Sequence, residues 1–382
     1  MRQRPETAGG RSDGPGVDIL RSLPQDDWRR FVENHPLGNV FHTPEMHSAF
    51  GRAAKHRADL WAAADGSRVL ALLLPVQVSV LGGPARSLAT RAVVYGGLLH
   101  ATGAEGVSAA EQLMSAYNGG VDRSVLYTEV RNIHDASASQ AVLRRHGFAF
   151  EPHLNYLVHL EEGPAAVFSR IGKRTRKHIR HAQNQGRVTV EQTVTPEGLA
   201  ECYSLLCDTY RRARVPLADL SLFEAALEVL GARGMVRFTR AVVGSTTAAV
   251  SVDLVYKDVV YGWYGGTDRR LANESPNEML TWHLLEWASR EGYRIYDFGG
   301  AGRPDVPYPV RDFKAKFGGE LVNYGRNACV HSRLRLQAAE LGYRAYQRII
   351  FGGGRPSRSS GSTGEAAESR SGGQGRVESR SL

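Results

Sequence analysis

Asp297, Lys314 and Lys316 are the residues of this chain whose types and spacing best suit chemistry. Asp297 lies in a short β-type run, Arg294 to Phe298, that breaks at Gly299-Gly300. A proline-rich loop follows (Pro304, Pro307, Pro309), then the cluster Phe313-Lys314-Ala315-Lys316-Phe317 and a second glycine pair. Glycines at a strand end let the backbone approach a ligand or take φ > 0. A carboxylate there can accept a proton, and an ammonium group can offset developing negative charge. The same pattern also fits an αβ corner with solvated lysines, because strand-Gly-Gly-loop signals are weak taken singly.

The elements that position these residues belong to a chain of 382 residues, which suggests two domains. A hydrophobic content of 42% and a charged content of 23% are ordinary for a globular protein with a large core. The three cysteines, Cys202, Cys207 and Cys329, are odd in number and lack ligand-like spacing, which argues against zinc or a disulfide framework and for a reducing cytoplasm. The first 17 residues are rich in Gly, Arg and Pro and carry no apolar core of a secretory signal. The most apolar stretch, Val69 to Leu81, is interrupted by Pro75, Gln77 and Ser79 and is too short to span a bilayer. A net charge of +9 suits an anionic partner such as a nucleotide, a phospholipid headgroup or tRNA, although a merely basic protein would show it too.

Taken in order, residues 1–17 read as a disordered leader. Gln25 to His35 reads as a helix with Trp28, Phe31 and Val32 on one face, and Thr43-Pro44 as the cap and first turn of another. Leu60 to Ala64 and Val69 to Val80 read as strands joined by Asp65-Gly66, a hairpin signal. Leu88 to Tyr95 is a further strand. A helix is expected from about Ser108 to Tyr117, with Ser108 and Glu111 as its capping box. Val125 to Val130 is a strand, Ser139 to His146 a helix, and Phe148 to Leu160 a long strand. Later, Met235 to Arg240, Ala248 to Tyr256 and Val259 to Tyr264 read as strands. Ser275-Pro276-Asn277-Glu278 then opens a capped helix that Gly292 closes. The alternation implies a mixed α/β fold.

Two copies of one αβ unit are expected, because a shift of 169 residues aligns Tyr95 with Tyr264, Tyr127 with Tyr296, Phe148 with Phe317 and Arg145 with Lys314. The units are drawn at 18–162 and 188–331. Between them, residues 163–187 form a basic linker helix with Ile171, Ile179 and Ala182 on one stripe. Lys173, Arg176, Lys177 and Arg180 share another face, as a solvated surface or as a phosphate contact. Residues 332–351 read as a last amphipathic helix and 352–382 as a disordered tail of Gly, Ser, Arg and Glu.

Four stretches together resemble the FemAB/FemX-like branch of the GNAT acyltransferase superfamily. They are Phe41-His42-Thr43-Pro44-Glu45, Lys173 to Arg180, Tyr264-Gly265-Gly266 with Ser275-Pro276-Asn277, and Tyr296-Asp297-Phe298-Gly299-Gly300 followed by Phe313-Lys314 and Phe317-Gly318-Gly319. The resemblance implies two tandem GNAT-like domains, each a mixed, mainly antiparallel sheet flanked by helices, with the last segment folding back onto the first. It implies transfer of an acyl or aminoacyl group to an amine. In members that build cell-wall precursors, the donor is aminoacyl-tRNA and the acceptor a nucleotide- or lipid-linked muropeptide. By the same likeness Lys314 and Phe313 sit at the catalytic cleft, and Tyr264 and Arg212 lie near the acceptor phosphates; Arg211 or Arg214 could equally take that register. Where the family carries a tryptophan and a lysine after the early Pro-Glu, this chain has Met46 and Phe50, with Arg52 as the nearest base. The long helical hairpin that some members use to grip tRNA is absent.

Amide formation from an activated ester or thioester needs an unprotonated amine, a donor for the oxyanion, and both substrates held in register. Lys314 is assigned charge stabilisation, Asp297 acceptance of the amine proton, and Glu129 is a weaker candidate base. Lys173 and Arg176 join the candidate substrate contacts. His42 and His283 suit structural roles. No metal and no bound cofactor are expected; the donor is aminoacyl-tRNA or acyl-CoA. Acyl-CoA is the rival donor, disfavoured because the Gln/Arg-x-x-Gly-x-Gly/Ala turn that cradles its pyrophosphate is missing before Ser275. A reading from another class is a non-catalytic polyanion-binding protein that uses the 170–187 helix. The expected partners are an anionic small-molecule or lipid-linked acceptor, with tRNA as a candidate donor and no DNA. The expected location is the cytoplasm, with peripheral contact at the inner membrane face left open.

Overall fold

The computed structural model describes residues 17–79 and 90–338. The expected leader and tail lie outside these residues, as does most of the expected 332–351 helix, of which 333–338 is helical. The fold is mixed α/β, built on a seven-stranded and a six-stranded sheet with a smaller four-stranded one beside them. Both large sheets are mixed and mainly antiparallel.

The Asp65-Gly66 hairpin forms as its sequence dictates, joining Trp61–Asp65 to Arg68–Leu73, with Gly66 at φ +59°. The strand read over 69–80 is two strands instead. Arg68–Leu73 belongs to the four-stranded sheet, while Pro75–Ser79 pairs with Thr90–Tyr95 in the six-stranded one. Pro75, lacking an N–H, stands where the chain crosses over. The long strand read over 148–160 divides the same way at Pro152, into Ala149–Glu151 and Leu154–His159, which also lie in different sheets. The helix read from Ser108 starts earlier and spans Gly103–Gly120. Ser108 therefore lies inside the helix and forms no capping box with Glu111, whose carboxylate pairs with Arg145 and His146 instead. Ser275 likewise gives no side-chain cap to Pro276–Arg290; it adopts φ +57°.

Both halves contain a parallel strand pair, Thr90–Tyr95 with Val125–Arg131 and Val259–Thr267 with Ile295–Gly300. Tyr95 lies beside Arg131 and Tyr261 beside Asp297, so the partner is 36 residues further along in each. The elements after each pair also correspond. Helix Ser137–Arg145 leads through Phe148 to Ala149–Glu151, and helix Pro309–Ala315 leads through Phe317 to Glu320–Asn323. Both phenylalanines are fully buried.

The halves exchange strands. Arg326–Val330, at the end of the second half, inserts between Val125–Arg131 and Ala149–Glu151 of the first. Leu154–His159, which the sequence places in the first unit, inserts between Ile295–Gly300 and Glu320–Asn323 of the second. Each sheet is thus completed by the other half of the chain. Helices Pro196–Ala213 and Leu220–Val229 cover one face of the seven-stranded sheet and share a core with Phe41, Met46 and Phe50 of the first half. Helices Pro164–Arg170, Lys173–Gln185 and Pro276–Arg290 cover the other. The basic segment is therefore two helices rather than one. They part at Gly172, whose N–H donates to the Lys316 carbonyl (2.8 Å), and Ile171, Ile179 and Ala182 are buried in the sheet's core.

Candidate active site

The C-terminal ends of the two parallel pairs face each other across the junction of the halves. The Phe41 ring lies between Tyr95 (5.4 Å) and Tyr261 (5.3 Å). In the first half the parallel ladder runs on to Tyr95 and Arg131 at the strand ends. In the second half it stops at Tyr261 and Asp297, although the first strand continues to Thr267. Two bulges explain the parting. Val252 faces Tyr264 while Asp253 faces Gly262, so Trp263 is an extra residue in its strand. On the other side the pairing with Leu154–His159 slips between Asp297 and Gly300. Each bulge bends its strand, and a cleft opens between them.

Gly299 is the pivot of the second bulge. It has φ +69°, and a Cβ there would sit 3.0 Å from the Gly262 carbonyl oxygen. Its peptide is clamped from both directions. Asp297 Oδ1 accepts the Gly299 N–H (2.7 Å), and Lys314 Nζ donates to the carbonyls of Phe298 (2.6 Å), Gly299 (3.3 Å) and Gly300 (2.7 Å). Burial pushes Asp297 up to about 6, against the pull of the Gly299 bond, the Lys314 charge and Asn155. Burial draws Lys314 down to about 8, against the Asp297 charge. Three carbonyls match the three protons of an ammonium group. This corrects the expectation that Lys314 faces an acceptor: its charge is spent on the strand end. Phe313 packs on Phe317 (5.3 Å) and under Lys316.

Beside this vertex lies a charged cluster that the sequence reading missed. Glu129 accepts from Arg131 (2.5 Å) and Arg326 (3.3 Å), and Arg326 also donates to His153 Nε2 (2.8 Å). Burial alone would raise Glu129, but Arg131 and Arg326 outweigh it and hold the carboxyl at about 2. It therefore stays ionised, which removes it as a general base. Burial, helped by Arg326, pulls His153 down to about 3, so its neutral ring accepts. Two guanidinium groups against one carboxylate leave net positive charge near the cleft. The signal in sequence was the same-face pair Glu129 and Arg131. Arg326 could be placed beside them only once the returning strand was known.

The other expected site residues are scattered. Tyr264 is packed among Tyr210 (5.8 Å), Phe223 (4.8 Å) and Trp263 (4.9 Å), and burial raises its hydroxyl well above the usual range. Arg212 donates to the Thr267 carbonyl (2.6 Å), at the far end of the diverging strand, while Arg211 pairs with Asp208 in solvent. Arg52 pairs with Glu228 (2.7 Å), tying helix Pro44–Arg52 to Leu220–Val229. Lys173 is exposed and Arg176 half-buried on a helix that covers the sheet face opposite Tyr264. His42 is buried, with Nε2 3.1 Å from the Gly97 carbonyl. Among the described residues no cluster of His, Cys, Asp or Glu could hold a metal ion, and no helix is long and apolar enough to cross a membrane.

Residues 169–315 match the acetyltransferase (GNAT) domain family. In structure the chain is similar to FemX, with a TM-score of 0.63 at 14% identity over 85% of this chain and 99% of that one. It is similar to a tandem GNAT protein from the clavulanic acid biosynthesis pathway, with a TM-score of 0.54 at 13% identity over 83% and 99% of the two chains. The fold is that of a tandem GNAT protein. L-PGS from Bacillus licheniformis shares it, with a TM-score of 0.52 at 15% identity over 85% and 97%. No curated protein sequence matches the chain. In tandem GNAT terms the matched segment contains the second-half cleft, and the first half, whose ladder does not part, supplies the Glu129–Arg131 cluster that faces it.

Proposed function

We propose that the protein forms an amide bond by moving an acyl or aminoacyl group onto an amine of a phosphate-bearing, nucleotide- or lipid-linked cell-envelope precursor. The observation that carries this is the opening of the sheet immediately beyond Tyr261 and Asp297. A donor chain can enter the gap beside the strand past Trp263, which has no strand partner on that side among the described residues. The Thr267 N–H there donates to Thr209 Oγ1 (3.1 Å), so a donor carbonyl that takes this N–H for its oxyanion displaces that hydroxyl.

In the reaction the acceptor nitrogen attacks the donor carbonyl and a C–N bond forms. The amine proton passes to the Asp297 carboxylate, the C–O or C–S bond to the donor breaks, and the departing oxygen or sulfur takes that proton back, leaving as the free hydroxyl or thiol. A carboxyl held near 6 is still ionised at neutral pH yet basic enough to take that proton. Lys314 acts through the Gly299 peptide it holds, as a positioning residue. Arg131 and Arg326 offer positive charge to the acceptor's phosphates. Resemblance favours aminoacyl-tRNA as donor. Acyl-CoA is the second reading, supported by helix Pro276–Arg290: it starts where the diverging strand leads, and its first turn has no side-chain cap.

Thermal-shift titration of the full chain with aminoacyl-tRNA, acetyl-CoA and a UDP-muropeptide tests this reading. The muropeptide and one donor should each raise Tm. If no donor stabilises the fold, the transferase reading is wrong.

A further inference from the structure

Near the Val188–Thr193 edge of the seven-stranded sheet lies a cavity of about 490 Å³. It is lined by Gln192, Leu227, Val236, Arg237, Val255 and Trp287. Val236 faces Leu254 and, through it, Tyr261, so the cavity is level with the cleft along the strands but displaced sideways across the sheet, toward the Val188–Thr193 edge. Its volume is in the range of small-molecule sites.

Arg237 sets this cavity apart. Its guanidinium lies 4.3 Å over the Trp287 ring and has no hydrogen-bond or ion-pair partner among the described residues. Arg240, three residues along the same strand, binds Glu191 and Glu201, and Arg131 and Arg326 are paired as well. Arg237 Nε is buried without a partner. So are Thr239 Oγ1, two residues along the strand, and Asp253 Oδ2, across from Arg237 on the next one. The other oxygen of Asp253, Oδ1, accepts a hydrogen bond from the Tyr296 hydroxyl (2.7 Å). A guanidinium stacked on an indole keeps its in-plane N–H groups for a planar, bidentate acceptor. The rest of the lining is mostly apolar, and Asp253 and Glu291 partly offset the single cation, which leaves charge for a monoanion rather than a phosphate dianion.

We propose that this cavity binds a small organic carboxylate with an apolar body, at a site separate from the transfer cleft. The carboxylate takes the fork of Arg237, and the body packs on Leu227, Val236, Val255 and Trp287.

The test titrates the full chain with 4-phenylbutyrate and with its neutral analogue 4-phenylbutyramide, reading tryptophan fluorescence and Tm. The carboxylate should bind saturably, at least about tenfold tighter than the amide. Arg237→Met should remove that preference. Ala232→Phe, at an exposed position on the cavity rim, should weaken both ligands and keeps the question decidable if the arginine variant fails to fold. Equal binding of carboxylate and amide, an Arg237→Met protein that keeps the preference, or unchanged binding in Ala232→Phe would each overturn the site.

Discussion

Replacing Lys314 with methionine distinguishes an ammonium that holds the backbone from one that meets substrate. The change keeps much of the stem and deletes the donor of three hydrogen bonds to Phe298, Gly299 and Gly300. Unpartnering three carbonyls costs about 2 kcal/mol each, while relief of the buried charge returns about 3 kcal/mol, so the net loss near pH 7 is about 3 kcal/mol. The pH dependence is more diagnostic. The Lys314 ammonium falls from 10.5 to about 8 on folding. Between those values the unfolded chain binds more protons than the folded one, so wild-type stability rises with pH. From pH 7.5 to 9.5 the advantage of wild type over Lys314→Met should grow by about 2 kcal/mol. Urea unfolding of both proteins across that range measures it. A constant difference would mean that Lys314 titrates like a solvated lysine, and the clamp on Gly299 would be wrong.

Gly299→Ala should lose about 2–3 kcal/mol in urea unfolding, because the left-handed backbone and the 3.0 Å approach to Gly262 both resist a Cβ. Glu129→Gln should cost about 3 kcal/mol or more in the same assay, since it leaves Arg131 and Arg326 side by side without a counter-charge. A chain ending at Asn323 lacks the strand that joins Val125–Arg131 to Ala149–Glu151, and near-UV circular dichroism should show loss of fixed packing; a native-like spectrum would contradict the strand exchange.

Local chemistry made much of the fold legible. The Asp65-Gly66 turn, the Thr43-Pro44 helix start and the strands about Tyr264 and Tyr296 follow from turn, cap and alternation signals within a few residues. The repeat was legible at the level of whole elements, because the matched aromatics fall in corresponding strands and corners, but the parallel ladders themselves align Tyr95 with Tyr261 and Arg131 with Asp297, a shift of 166 rather than 169. What could not be read was pairing across the chain. Pro75 and Pro152 each mark a change of sheet, yet a proline in a β-type run shows only that the run is interrupted. Leu154–His159 has the composition of a strand in either half, and only the completed sheet says which. The site divides along the same line. Asp297, Gly299 and Lys314 stand close in sequence and meet in space. Arg326 and His153 reach Glu129 only through the exchange. Lys314 meets three backbone carbonyls where an acceptor was expected, because such partners carry no mark in a sequence.

The proposed acyl transfer takes place where the sheet parts, with Asp297 receiving the proton. The most direct measurement is the pH–rate profile of the purified full chain, with the donor and acceptor that stabilise it, for wild type and Asp297→Asn. Wild-type kcat should rise with pH to an inflection near 6 and then level off, and the asparagine protein should be slower by about a hundredfold or more and lose that inflection. An Asp297→Asn enzyme that turns over at the wild-type rate with the same profile would contradict the account.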